Sequence, residues 1–123
     1  MKTLKILLMY PANQLMTNEK PRTDGSLGPI MLAGSLLRAG YETHVVDASV
    51  GTEKDRLEDT LYRRVMQPNG LVRFGTPFER IKELIGEGDY GMVGVSSNFT
   101  PQTSMGLEVM RAAKEVSPEI LTI

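Results

Sequence analysis

The chain has 123 residues, 14 Lys+Arg against 15 Asp+Glu, and 41% hydrophobic residues, which fits one globular domain and excludes a disordered or fibrous chain. A formal net charge of −1 gives no general attraction for nucleic acid or an acidic membrane. With no cysteine, disulfides, thiolate nucleophiles and Cys-ligated metals are excluded from these residues.

Leu4-Lys5-Ile6-Leu7-Leu8-Met9 is the first of three short apolar runs that read as buried parallel strands. It is closed by Pro11. Its apolar stretch, Ile6 to Met9, is too short for a signal-peptide core, and no run approaches the roughly 20 residues of a spanning helix, so a cytoplasmic domain without membrane insertion is expected. A helix is predicted from Leu27-Gly28-Pro29, with Pro early, where its missing N–H is harmless. It puts Ile30, Met31, Gly34 and Leu37 on one face and stops at Arg38-Ala39-Gly40. The second strand is Glu42-Thr43-His44-Val45-Val46, closed by Asp47-Ala48-Ser49.

Between Gly51 and Asp89 lies a long charged connection. We read two helices there, Asp55 to Met66 (Leu57, Leu61, Val65) and Pro77 to Ile85 (Phe78, Ile81, Leu84, Ile85), broken by Gln67-Pro68-Asn69-Gly70. The interspersed charges read as solvated helix faces. The third strand is Gly91-Met92-Val93-Gly94-Val95, followed by a helix over Thr103 to Val116 with Met105, Val109, Ala112, Ala113 and Val116 inward. Glu119-Ile120-Leu121-Thr122-Ile123 then starts another strand. Strands alternating with helices predict an α/β domain around a parallel sheet. An unflanked apolar last strand is an exposed edge, which natural domains avoid, so the expectation is an incomplete sheet cut from a longer protein.

Open parallel sheets take ligands beyond the carboxyl ends of their strands. Those ends are Tyr10-Pro11-Ala12-Asn13-Gln14, then Asp47, then Ser96-Ser97-Asn98-Phe99-Thr100-Pro101-Gln102. The first has no glycine, so it is neither a dinucleotide fingerprint nor a P-loop, and Gly94-Val95-Ser96-Ser97-Asn98 lacks the second glycine of a hydrolase elbow. The lone histidine, His44, lies inside the second strand and reads as structural. Asp47 either meets a ligand or caps its turn. The hydrogen-bonding side chains from Ser96 to Thr103, beside a helix N-terminus, suit a large ligand rich in amides and hydroxyls. No catalytic or metal-ligating set is expected.

Lys5-Ile6-Leu7-Leu8-Met9-Tyr10-Pro11, followed by Leu27-Gly28-Pro29-Ile30-Met31-Leu32-Ala33-Gly34-Ser35-Leu36, resembles the opening of the cobalamin-binding domains that precede radical S-adenosylmethionine catalytic domains. Arg38-Ala39-Gly40-Tyr41, Val45-Val46-Asp47-Ala48, Val93 to Gln102 and Lys114-Glu115-Val116-Ser117-Pro118 look like later landmarks of the same family, in the same order. The resemblance implies a flavodoxin-like (Rossmann-like) three-layer sheet, incomplete at its C-terminus, in one cobalamin-binding domain over residues 1–123. It implies that Tyr10, Pro11, Ala12, Asn13 and Gln14 face the lower side of the corrin. Ser96 and Ser97 would line its nucleotide tail, with Asn98, Phe99 and Thr100 near it; Asp47 and Gln102 complete the candidate set. The D-x-H-x-x-G motif of many cobalamin domains is absent, so cobalamin would bind base-off without a histidine ligand. The family's glycine-rich loop and C-x-x-x-C-x-x-C would lie past Ile123, so S-adenosylmethionine and a [4Fe-4S] cluster belong to a downstream partner domain. Methyl transfer or oxidative cyclisation would be the parent's chemistry, the fragment being non-catalytic. The rival readings are a flavin-binding domain and a ligand-free assembly module that pairs through its C-terminal strand.

Overall fold

The computed structural model describes residues 4–21, 27–96 and 102–123. Its strands follow the apolar runs: β1 (Lys5–Tyr10), β3 (Glu42–Asp47), β6 (Met92–Val95) and β7 (Leu121–Thr122) pair in the order β3-β1-β6-β7, every pair parallel. In register, Leu7 stands beside His44 and Val93, and Tyr10 beside Asp47. The protein is therefore α/β, a four-stranded parallel sheet flanked by helices.

Alternation along the strands supplies both faces. Leu7, Met9 and Val93 point to one side, where α2 (Phe78–Gly88) and α3 (Thr103–Val116) close the main core with Ile81, Ile85, Val109, Ala112 and Ala113. Ile6 and Leu8 point to the other, against Ala33 of α1 (Leu27–Arg38). Chain reversals of this kind need handed connections, and the step from β3 past β1 to β6 puts α2 on the face opposite α1. The α1 stop is a Schellman motif. Tyr41 N–H reaches Leu36 O (3.0 Å) and Gly40 N–H reaches Leu37 O (3.0 Å), with Gly40 at φ +95°.

Three expectations are corrected. The Ile30, Met31, Leu37 face of α1 is exposed, and Pro29 and Ala33 are the buried residues. A helix that is apolar all round gives its periodicity no means of choosing a side. Small residues then decide, because they let α1 approach the sheet closely.

The predicted Asp55–Met66 helix does not form. A 3₁₀ turn (Leu57–Asp59) leads into β4 (Val65–Met66), which pairs antiparallel with β5 (Val72–Phe74), and β5 pairs in turn with β2 (Asn13–Leu15). Pro68-Asn69-Gly70 drives this outcome. Gly70 N–H bonds Gln67 O (3.0 Å), Asn69 Oδ1 accepts from Leu71 N–H (2.9 Å), and Gly70 takes φ +84°, a conformation open to glycine.

Nor are all charges of this connection solvated. Arg73 lies buried on β5. Its Nε donates to Glu108 Oε2 of α3 (3.1 Å), and its Nη2 donates to Glu108 Oε1 and to Thr76 O (2.6 Å). Asp55, 12% exposed, accepts from Thr52 N–H (2.8 Å), Thr52 Oγ1 (2.9 Å) and Arg80 Nε of α2 (2.9 Å). Burial pushes this carboxyl up, but the Thr52 and Arg80 bonds outweigh it and hold Asp55 below the ordinary carboxylate value. A depressed folded-state value contributes stability above the unfolded value near 3.8, and that stability drains as pH falls through the folded value. Thermal unfolding temperature should thus fall as the pH drops below about 4. Asp55→Asn, which keeps an acceptor for Thr52 but loses the Arg80 ion pair, should be less stable at pH 7 and flatter on acidification. An unchanged acid slope in Asp55→Asn would refute this role.

Candidate functional site

The strand order reverses direction between β1 and β6, so the carboxyl ends of those strands form the switch point of the sheet. Around it Ala48 N–H bonds Tyr10 O (2.7 Å) and Ser96 N–H bonds Met9 O (3.2 Å), which ties the three strand-end loops together.

On the β3 side the edge is closed by a strap, Gly75-Thr76. Gly75 N–H bonds Thr60 O (2.8 Å), and Thr76 N–H bonds Ala48 O (2.7 Å). Gly75, at φ +133°, is pressed so close that a Cβ there would stand 2.7 Å from Ala12 Cβ and 3.0 Å from Ala48 O. Thr76 is fully buried and its Oγ1 has no hydrogen-bond partner among the described residues, an arrangement that costs about 1–3 kcal/mol.

Gln14 is the centre of the polar structure at this edge. The Gln102 side-chain amide brackets its backbone, with Gln14 N–H donating to Gln102 Oε1 (3.1 Å) and Gln102 Nε2 donating to Gln14 O (2.9 Å). Gln14 Oε1 accepts from Gln67 Nε2 (2.6 Å), Asn69 Nδ2 (3.3 Å) and Ser104 Oγ (3.5 Å). The loop after β1, the β4–β5 hairpin and the start of α3 are thus clamped by neutral amides. Networks of this kind fix a wall without placing charge in it.

Among the expected site residues, Gln14 and Gln102 meet directly. Pro11, Ala12, Asn13 and Gln14 are buried under the hairpin, while Tyr10, Ser96 and Gln102 are half-buried at the edge. Asp47, also half-buried, caps its own turn: Oδ1 accepts from Ser49 N–H (2.9 Å) and Ser49 Oγ (2.6 Å). Ser97, Asn98, Phe99 and Thr100 lie outside the described residues. Sequence reasoning missed Gln67, Asn69 and Ser104. Only the Asn69-Gly70 pair between two apolar runs carried a readable signal for them, that of a hairpin.

His44 lies inside β3 beside Leu7, three residues before Asp47. Its ring meets Tyr90 edge-on, with Nδ1 2.7 Å from Tyr90 Oη and Nε2 3.4 Å from Glu42 Oε1. Burial, then the Glu42 carboxylate, push the Tyr90 phenol above its ordinary value, so it stays protonated at neutral pH. The consistent assignment has Tyr90 Oη–H donating to Nδ1 and Nε2–H facing Glu42. A hollow of about 600 Å³ opens at the amino end of the sheet, lined by Lys5, Glu42 and Tyr90 among others. We do not place the site there, because its polar groups are engaged with one another and ligands of such sheets bind at the opposite end.

No group of three His, Cys, Asp or Glu among the described residues could hold a metal ion, and none of their helices is long and apolar enough to cross a membrane. In comparisons with known protein families, curated proteins and solved structures, none matched the chain.

Proposed function

We propose that this chain is a cobalamin-binding module of flavodoxin-like topology, which positions the cofactor base-off for a radical S-adenosylmethionine domain. The observation that carries the reading is the β1–β6 switch point, where the Tyr10–Gln14 segment after β1 is tied to Gln102 at the start of α3 by the Gln14–Gln102 clamp. A neutral, amide-lined wall fits a large ligand that carries its own amides and hydroxyls. Cobalamin is such a ligand, and when bound it supplies a cobalt centre able to carry a methyl group. Tyr10, Asp47, Ser96 and Gln102, with part of each side chain accessible, are the described residues that would hold it. Two features support histidine-free binding: His44 is engaged with Tyr90 inside the sheet, and the Tyr10–Gln14 loop contains no imidazole. The buried Pro11–Gln14 segment would act as a rigid floor that excludes water.

A flavin at the same edge would need backbone N–H groups free to cradle a phosphate after β1. Here Asn13–Leu15 are instead paired as β2 against β5.

The test is a titration of the protein into base-on hydroxocobalamin, followed by visible absorbance. We expect conversion to the yellow base-off spectrum, equally with wild type and with His44→Ala. An unchanged base-on spectrum rejects the module. Conversion by wild type but not by His44→Ala rejects the histidine-free mode.

A further inference from the structure

Asn69 is the chain's only asparagine followed by glycine. That order matters chemically. A backbone nitrogen can attack the side-chain amide carbon of the residue before it, and glycine alone leaves that nitrogen unshielded by a Cβ. The turn that holds the pair is open. Asn69 and Gly70 are exposed, and a Cβ added at Gly70 would have nothing within 4 Å. The tip of the β4–β5 hairpin thus has room for the small ring that such an attack closes.

The hydrogen bonds of the tip bear on the reaction directly. Leu71 N–H donates to Asn69 Oδ1 (2.9 Å), which fixes the oxygen end of the amide and puts a donor on the atom where negative charge would develop. The nitrogen that would leave, Asn69 Nδ2, donates to Gln14 Oε1 (3.3 Å). The brake is Gly70 N–H, which donates to Gln67 O (3.0 Å) and has to leave that carbonyl before its nitrogen attacks. Exposed backbone hydrogen bonds at a turn open locally at little cost, so the brake slows the reaction without stopping it.

We propose that Asn69 is a site of spontaneous deamidation, and that the change loosens the β4–β5 hairpin from Gln14. Hydroxide takes the Gly70 N–H proton, the nitrogen bonds to Asn69 Cγ, and the Cγ–Nδ2 bond breaks. Nδ2 takes up a proton from water and leaves as ammonia. A second step opens the cyclic imide with water. Attack at Cγ gives aspartate; attack at the main-chain carbonyl gives isoaspartate, in which the chain runs through the former side chain. Water is consumed and ammonia released, with no change of oxidation state.

The consequence falls on the amide clamp. Either product puts a carboxylate at the tip, and in the aspartate an oxygen that only accepts takes the place of Nδ2–H opposite Gln14 Oε1. Isoaspartate also lengthens the main chain inside the turn, which strains the pairing of Val65 with Arg73 and of Met66 with Val72. A neutral wall thereby acquires a negative charge beside Gln14 as the protein ages. The chemistry requires no ligand at the carboxyl edge.

The test is to hold the purified protein in warm, mildly alkaline buffer for days and map its tryptic peptides by tandem mass spectrometry. The peptide Val65–Arg73 carries Asn69, and Asn18, exposed but followed by Glu19, is the internal control. Asn69 should convert to aspartate and isoaspartate at least tenfold faster than Asn18, and faster still as the pH is raised. Gly70→Ala should bring its rate down toward that of Asn18. Asn69→Asp, which is the aspartate product made directly, should exchange the Gln67 N–H, bonded to Leu71 O (3.0 Å), faster than wild type in deuterated water. An Asn69 that stays intact or converts no faster than Asn18 overturns the proposal, as does a wild-type rate in Gly70→Ala. Unchanged exchange at Gln67 in Asn69→Asp and in the aged protein overturns the loosening of the hairpin.

Discussion

Glu108→Ala should destabilise the protein by about 3–5 kcal/mol, the usual result of removing one partner from a buried ion pair. Arg73 is 8% exposed at its side chain and Glu108 14%, and the guanidinium is held by both carboxylate oxygens and by Thr76 O. Without Glu108 a full positive charge stays inside, with only backbone carbonyls to face. For a domain of this size the loss corresponds to a fall of roughly 10–20 °C in unfolding temperature. The double change Arg73→Met with Glu108→Leu should recover most of it, because the cost lies in the stranded charge and not in the absence of the pair. Urea unfolding followed by circular dichroism measures both. A Glu108→Ala loss below about 1 kcal/mol would mean that water reaches the guanidinium and that β5 is not anchored to α3 in this way.

Gly75→Ala should cost about 3 kcal/mol, from two sources that add. One is the positive φ of +133°, which a side chain rarely tolerates, and the other is the 2.7 Å approach to Ala12 Cβ. The neighbours cannot yield easily. Ala12 is 1% exposed and Ala48 is fully buried, and the second close contact, Ala48 O, is backbone. Gly70→Ala is the control. It has a positive φ too, +84°, but nothing within 4 Å, so about 1 kcal/mol is expected from conformation alone. Equal losses at the two positions would contradict close packing of the strap on the β1 loop.

How much of this was legible in the residues varies with the range of the force concerned. The main strands were readable because a strand buried on both faces must be continuously apolar, as Ile6–Met9 and Gly91–Val95 are. Helix α3 was readable because its polar face keeps the periodicity one-sided; Met105, Val109, Ala112 and Ala113 are buried as expected, while Val116, expected inward, is 36% exposed in the last turn, where the helix runs past the sheet's cover. In α1 the same logic failed for lack of a polar face. In the 51–89 connection Leu57, Leu61 and Val65 mimic a helical stripe, while Asn69-Gly70 and the β-branched Val65 and Val72 favour a hairpin. Pairing with β2, itself more than 50 residues earlier in the chain, decides for the hairpin. Long-range partnerships leave no local mark. Nothing around Gln14 announces Gln102, 88 residues away, and nothing around Arg73 announces Glu108. The strand ends were correctly located as the edge of the sheet, yet which of their side chains face outward depends on the strap and the hairpin. Those come from the segment whose pattern was ambiguous.

The proposed cobalamin ligand would sit at the β1–β6 carboxyl edge. Amide NMR spectra of the ¹⁵N-labelled protein, recorded as hydroxocobalamin is added, test it most directly. Saturable shifts are expected at Tyr10, Asp47, Ser96 and Gln102, with Lys5, Glu42 and Tyr90 unmoved. Shifts gathered instead around the hollow at Lys5, Glu42 and Tyr90, or no shifts at all, would contradict it.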